Sequence, residues 1–365
     1  MTSRIQQVLD RPFSIGRLTV PNRIAMAPMT RRFSPDGIPG EDVAAYYERR
    51  AQGQVGLIIT EGTYVDRDAA SAYSRVPHFH GDEALAGWAK VVERVHAAGG
   101  KIIPQLWHTG PARTETDPQA DTPSGLNLDG EKIGEPMTQQ DIDAIIAAFA
   151  QAAANAERLG FDGAELHGAH GYLLDSFLWD GTNQRADGYG GSLQARARFV
   201  IELVKAVRAE VSADFPIVLR FSQWKSGHYD AKLAPTPGEL EQLLTPLADA
   251  GVDAFHASTR RYWLPEFDGS DLNLAGWVKK ITGKPAISVG SVGLDQEFAG
   301  RAAPMGGPAQ TTGVEQLLDR LERDEFDIIA VGRALLSNPD WAAKAIADKL
   351  DETVAFDKSV LGTLY

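Results

Sequence analysis

The segment ELHGAHGYLLDSFL, residues 165–178, sets His167 and His170 three residues apart and places Tyr172 two further on, after a short apolar run. Imidazoles at this spacing suit metal ligation, hydrogen-bond donation to an electron-rich group, or simple core packing. A tyrosine beside them adds a proton donor. Catalytic zinc needs three protein ligands, and His108 and His256 are the histidines available to extend the pair. The apolar runs ending in APMTRR, RFSQWK and VGRALL offer neither histidine nor carboxylate at their tips, which makes metal catalysis the weaker reading.

Other chemistry-bearing residues sit at the ends of similar runs. SVGSVG, residues 288–293, and AVGRALL, residues 330–336, bring together glycine N–H groups, Ser291 and Arg333. Many barrels hold a phosphate after their last two strands, and the alternative is a pair of tight turns with a surface arginine. Thr30, Gly62, Gln105 and Arg220 are the remaining tips. Small or hydrogen-bonding, they suit a flat ring with polar edges.

Positioning these tips requires a regular scaffold. Eight short apolar runs start at Arg23, Gly56, Lys101, Phe161, Pro216, Val252, Pro285 and Phe326, separated by longer helical patterns. Near-continuous apolar runs of this length fit parallel strands buried on both faces, with crossover helices between them. In DEALAGWAKVVERVHAAGG, Asp82 precedes an apolar face of Leu85, Trp88, Val92 and Val95, and two glycines follow. Thr138 and Asp141 open the next helix in a near capping box, and Asn338 with Pro339 is expected to start the last. The pattern predicts a (β/α)8 barrel of the TIM type, with a doubly wound open sheet as the alternative. On this reading His167 lies just past the fourth strand, on the catalytic rim.

Three segments exceed the simple repeat. RPFSIGRLTVPN, residues 11–22, reads as an N-terminal β-hairpin closing the barrel's bottom. Residues 109–136 and 293–313 form extended loops on the C-terminal face. No linker or composition shift divides the chain, so residues 1–365 are expected to form one domain.

Composition limits the partners. A net charge of −13 argues against a nucleic-acid surface, which needs clustered Lys and Arg. The absence of cysteine excludes thiolate nucleophiles, disulfides and Cys-ligated iron–sulfur clusters. Neither a signal peptide nor a membrane-spanning run is apparent, which predicts a cytoplasmic protein acting on small molecules. Monomer and homodimer both remain open.

Seven motifs occur in one order: NRIAMAPMTR from Asn22, YYERRA from Tyr46, GLIITEGT from Gly56, PQLWHTG from Pro104, HGAHGYLLDSFL from His167, NQRADGYGGSLQARARF from Asn183 and VGRALLSNPD from Val331. Together they resemble the old yellow enzymes, FMN-dependent ene-reductases, over nearly the whole chain. The resemblance implies that Pro28, Met29, Thr30 and Gly62 line the flavin ring, Gln105 holds its pyrimidine edge, and Arg220 sits near N1. Gly290, Ser291, Gly332 and Arg333 would hold the phosphate. NAD(P)H would reduce FMN. His167 and His170 would then bind the oxygen of an α,β-unsaturated carbonyl or nitro compound while hydride moves from flavin N5 to the β-carbon and Tyr172 protonates the α-carbon. Reduction of nitro or nitrate-ester groups is a further capacity of such a site.

By the same resemblance, Thr30 rather than cysteine places the redox-tuning position with the branch typified by the yeast enzyme, yet the long aromatic-bearing segment that many members of that branch carry after the eighth run is missing. Residues 258–269, with Tyr262, Trp263 and Phe267, either wall the substrate pocket in its place or pack a long loop, and Trp107 either faces substrate or packs. A flavin-binding sensor or carrier is the alternative function, but it would not require His167, His170 and Tyr172 together.

Overall fold

The computed structural model describes residues 3–297 and 308–365. A hairpin of β1 (Phe13–Ile15) and β2 (Leu18–Val20) precedes eight strands: β3 (Ile24–Met26), β4 (Leu57–Tyr64), β5 (Ile102–Trp107), β6 (Ala164–His170), β7 (Ile217–Lys225), β8 (Ala254–Ser258), β9 (Ala286–Val289) and β10 (Ile328–Val331). These eight close in chain order, with β10 pairing β3, and every pair is parallel. The (β/α)8 barrel is therefore the architecture, and the open sheet is excluded.

Helices α1 (Arg4–Leu9), α2 (Glu41–Gln52), α3 (Asp82–Ala97), α4 (Gln139–Arg158), α5 (Leu173–Leu178), α6 (Leu193–Glu210), α7 (Pro237–Ala250), α8 (Leu274–Thr282), α9 (Glu315–Glu322), α10 (Arg333–Ser337) and α11 (Trp341–Ile346) accompany the strands. The capping box opens α4 as expected: Thr138 and Asp141 exchange side-chain and backbone hydrogen bonds. Asp82 opens α3, whose buried face holds Leu85, Trp88, Val92 and Val95 as expected. The last helix starts differently from expectation. Asn338 closes α10 rather than opening the next helix; its amide donates to the carbonyls of Ala334 and Val354. The contact with Val354 ties Asn338 to the segment after α11, and Asp340 precedes α11 instead.

The period-two alternation of a strand sends Val218 and Arg220, or Glu165 and His167, to the same face, with Leu166 and Leu219 on the other. Ile15, Leu18 and Val20 of the hairpin pack with Ala25, Leu57, Ile59, Ile103, Val218, Ile287 and Ile328 in one interior cluster, so the hairpin does plug the bottom of the barrel. Each such aliphatic side chain withdrawn from water contributes about 1.5–3 kcal/mol. The second, larger cluster lies between barrel and helices.

Beyond the aliphatic interior the barrel lining turns polar: Gln105, Glu165, Arg220 and His256 are all buried. Two strands overrun their expected ends. β6 continues through His170 and β7 through Lys225, with a register shift between Gly168 and His170. His167 is consequently inside a strand rather than beyond it. Such an irregularity twists a strand end and re-aims its side chains. His170 and Gly171 then adopt positive φ, 67° and 86°, which reverses the chain so that Tyr172 caps α5.

Candidate active site

A cavity of about 610 Å³ opens at the C-terminal ends of the strands, within the usual range for ligand sites. Pro28, Met29, Thr30, Gln105, Trp107, His167, His170, Tyr172, Arg220, Gly290, Ser291, Gly332 and Arg333 all line it. Residues expected from six different parts of the sequence thus share one cavity. Three do not. Gly62 is buried beneath Trp107: a Cβ there would lie 2.4 Å from the indole Cε3, so the glycine makes room for tryptophan rather than lining the cavity. Tyr262 and Trp263 pack edge to face at 5.1 Å and lie outside the lining, as does Phe267, which meets Trp277 at 5.3 Å. Residues 258–269 therefore contribute their aromatics to packing, because Asn273 and Arg320 bind the carbonyls of Tyr262 and Trp263 and draw them outward.

The wall is completed by residues the sequence reading passed over. Trp224 stacks on His170 with ring centres 4.3 Å apart, and Tyr73 stacks on Trp107 at 6.0 Å. Arg32, Ser258, Thr259 and Arg260 also face the cavity. Trp224 had one signal, its place in RFSQWK at two-residue steps beyond Arg220. Tyr73 and Arg32 lie in irregular segments and had none.

The catalytic candidates form a compact aromatic group. His167 lies 5.3 Å from His170 and 4.9 Å from Tyr172, and Trp107 packs edge-on to Tyr172 at 4.9 Å. Burial, reinforced by the positive charge of Arg220, pushes both imidazoles well below the usual histidine range, so they are neutral near pH 7. Nδ1 of His167 accepts the Ala169 N–H at 3.4 Å, which leaves the ring proton on Nε2. That N–H has no protein partner among the described residues.

The other two histidines are structural. His108 accepts the Gly110 N–H on Nδ1 and donates from Nε2 to Asp121 at 3.0 Å. His256 Nδ1 meets Glu165 at 2.7 Å inside the barrel. Among the described residues no group of three or more His, Asp or Glu could hold a metal ion.

The remaining lining fits FMN. Gly290 has φ of 139°, and a Cβ would approach the Thr259 carbonyl oxygen to 2.7 Å, so only glycine allows this turn beside Ser291. Gly332 lines the cavity beside it, and a Cβ there would meet nothing closer than Met29 Sδ at 3.7 Å, so this position is uncrowded. Arg333 is not a surface arginine but 7% exposed. Arg220 Nε is sealed from solvent without a hydrogen-bond partner, as expected of a donor awaiting a polar ring edge. Glu165 accepts from Gln105 Nε2 at 2.8 Å, which fixes the amide and turns its carbonyl elsewhere. The residues 298–307 of the adjoining loop lie outside the described residues.

A parallel barrel with a polar-edged cavity at its C-terminal mouth is the architecture of a TIM-barrel enzyme. The NADH:flavin oxidoreductase / NADH oxidase family matches residues 9–352, and the chain belongs to this family, that of the old yellow enzymes. It is an FMN-dependent, NAD(P)H-using oxidoreductase. Among its relatives is an NADH oxidase from Thermoanaerobacter brockii, 34% identical over 93% of this chain; the chain spans 50% of that protein's length. A 12-oxophytodienoate reductase 7 from Oryza sativa subsp. japonica is 32% identical over 99% of this chain and 92% of its own. The crystal structure of Old Yellow Enzyme from Pichia sp. AKU4542 matches with a TM-score of 0.79 and 26% identity, covering 97% of this chain and 90% of the other.

Proposed function

We propose that this protein, acting as a single catalytic domain, reduces the carbon–carbon double bond of small α,β-unsaturated carbonyl or nitro compounds. The observation that carries this reading is the convergence of His167, His170 and Tyr172 on one cavity wall, with ring centres 4.9–6.4 Å apart. FMN, when bound, supplies the hydride it has taken from NAD(P)H. Pro28, Met29 and Thr30 bear on its ring, Gln105 and Arg220 on its pyrimidine edge, and Gly290, Ser291, Gly332 and Arg333 on its phosphate.

The chain's own work is electrostatic and prototropic. His167 and His170, kept neutral by burial, donate hydrogen bonds to the oxygen that conjugates with the alkene. Negative charge accumulates on that oxygen as the β-carbon is reduced, so donors aimed there stabilise the transition state more than the bound substrate. Tyr172 O–H gives its proton to the α-carbon. Trp224 backs the His170 ring and limits its motion, and Trp107 does the same for His167 and Tyr172. The same paired donors suit the oxygens of nitro and nitrate-ester groups.

Rapid mixing tests the roles separately. Tyr172→Phe is expected to leave flavin reduction by NADPH unchanged and to slow reoxidation by an enone about 10²- to 10⁴-fold. His167→Ala should slow that same half-reaction about 10²- to 10³-fold. Equal slowing of both half-reactions in Tyr172→Phe would remove the tyrosine from the chemistry, and NADPH oxidation indifferent to enone would remove the alkene.

A further inference from the structure

One hydroxyl joins two groups in this cavity. Ser258, the last residue of β8 and 2% exposed, has its Oγ 3.2 Å from Arg220 Nη2 and 2.8 Å from His170 Nε2. A guanidinium has donors and no acceptor, so the first contact fixes the serine oxygen as acceptor towards Arg220. One lone pair and one proton remain on the hydroxyl. If His170 Nε2–H also donated to this oxygen, the serine proton would be buried without an acceptor, because no other described contact reaches Oγ. A buried unmade hydrogen bond costs about 1–3 kcal/mol. The arrangement that satisfies every group runs in one direction: Arg220 donates to Ser258, and Ser258 donates to His170 Nε2.

That direction determines the ring proton. An imidazole that is neutral and accepts on Nε2 carries its hydrogen on Nδ1. Nδ1 of His170 has no protein partner among the described residues and is not sealed from the cavity that His170 lines. The rest of the neighbourhood holds the chain of bonds in register. Trp224 stacks on the imidazole at an interplanar angle of 20° and donates from Nε1 to the Ser258 carbonyl at 3.1 Å. The His170 N–H donates to Ser222 Oγ at 2.9 Å.

We infer that Ser258 is a positioning residue that selects the Nδ1–H tautomer of His170, so that His170 meets the substrate oxygen as a donor, with the Arg220 charge polarising the relay. With the opposite tautomer, His170 would present a lone pair to an oxygen that is gaining negative charge. This rests on the ene-reductase reading for its substrate, but the tautomer itself is independent of it. His167 reaches the donor state by a different route, through the Ala169 N–H. The two histidines therefore respond separately to mutation.

The test is nitrogen NMR of the full-length, FMN-loaded protein labelled with ¹⁵N-histidine, with His170 assigned by its loss in His170→Gln. Wild type is expected to show a protonated Nδ1 and an unprotonated Nε2 at His170. Ser258→Ala should lose that pattern at His170 and leave the opposite pattern of His167, protonated on Nε2, unchanged. In rapid mixing, Ser258→Ala should reoxidise with cyclohexenone about 10- to 100-fold slower, by analogy with the outer partners of metal-bound histidines. Ser258→Thr, which keeps the hydroxyl, should restore both the spectrum and the rate. A wild-type His170 protonated on Nε2, or a tautomer indifferent to Ser258→Ala, would overturn the inference. A changed tautomer with unchanged reoxidation would overturn its catalytic part. Wild-type flavin that cyclohexenone does not reoxidise would sink the ene-reductase reading instead, with the tautomer result standing.

Discussion

At the scale of single residues, each side chain acquires its role from the neighbour that completes its valences. Gln105 is orientated by Glu165, His167 by the Ala169 N–H and His170 by Ser258, so residues of identical type stand in different protonation patterns a few ångströms apart. Types and spacing in the sequence were enough to single out His167, His170 and Tyr172. Their partners were not legible, because Ser258 lies 88 positions from His170 and is an unremarked residue within its own segment. Gly62 shows the same limit in reverse. Small size there admits Trp107, which in turn packs against His167 and Tyr172. Gly62→Ala is accordingly expected to destabilise the fold by about 1–3 kcal/mol, the cost of overpacking. Because Trp107 must move, the variant should also slow enone turnover; chemical unfolding monitored by far-ultraviolet circular dichroism, alongside the half-reactions, checks both effects.

At the scale of elements, the reversal after β6 is held by an ion pair sealed from solvent. Lys225 Nζ, at the end of β7, lies 2.9 Å from Asp175 Oδ1 of α5, and both side chains are fully buried. Asp175 Oδ2 accepts the N–H of Gly171 at 2.6 Å, while Lys225 also donates to the carbonyls of Ser222 and Gln223. Burial pushes the Asp175 pKa up and the Lys225 pKa down, so each charge depends on the other. Two successive residues in the left-handed region, one of them the non-glycine His170, need this kind of external hold. Asp175→Ala, which strands a buried ammonium, should cost about 3–5 kcal/mol in a urea titration. The double variant Asp175→Leu with Lys225→Met should recover much of that loss, whereas a double variant as unstable as the single would show that the pair is not the fastening. The strand overrun that brings Lys225 here was hidden in the sequence, since Gln223, Trp224 and Lys225 have no apolar alternation to extend the run.

At the scale of the whole molecule, the hairpin stoppers one end of the barrel, and among the described residues the cavity opens at the other, C-terminal end. The long loop after β5 is fastened at Asp121 from two sides. Arg67 binds Asp121 at 2.8 Å and Asp141 of α4 at 2.8 Å, and His108 binds Asp121 at 3.0 Å. Burial alone would raise the Asp121 pKa, but hydrogen bonds from Arg67 and His108 outweigh it and hold the carboxyl down to about 2, against 3.8 unperturbed. A carboxyl depressed in the folded state contributes stability above its unfolded pKa and loses it as the pH falls through the folded value. The contribution is about 2 kcal/mol. Between pH 4 and pH 2, the unfolding free energy of the wild type should fall by about that much more than the free energy of Asp121→Asn. Parallel acid limbs for the two proteins would show that the aspartate is not the fastening.

The sequence by itself determined the architecture and the family, and it singled out His167, His170 and Tyr172, which the structure gathers on one cavity. Strand number follows from apolar runs, which are local and need only period and length to be read, and ordered motifs accumulate specificity without any contact being known. The hairpin plug and the α4 capping box were legible for the same reason. Only the tertiary structure decided which aromatics wall the pocket, sending Tyr262 and Trp263 to the core and bringing Trp224 and Tyr73 to the cavity. It alone decided where β6 ends, what Gly62 is for and which nitrogen of each histidine carries the proton. These depend on side chains far apart in the chain satisfying one another's hydrogen bonds in a dry interior, where an unmet donor is costly. Such pairings are properties of closure, and they do not exist until the eighth strand meets the first.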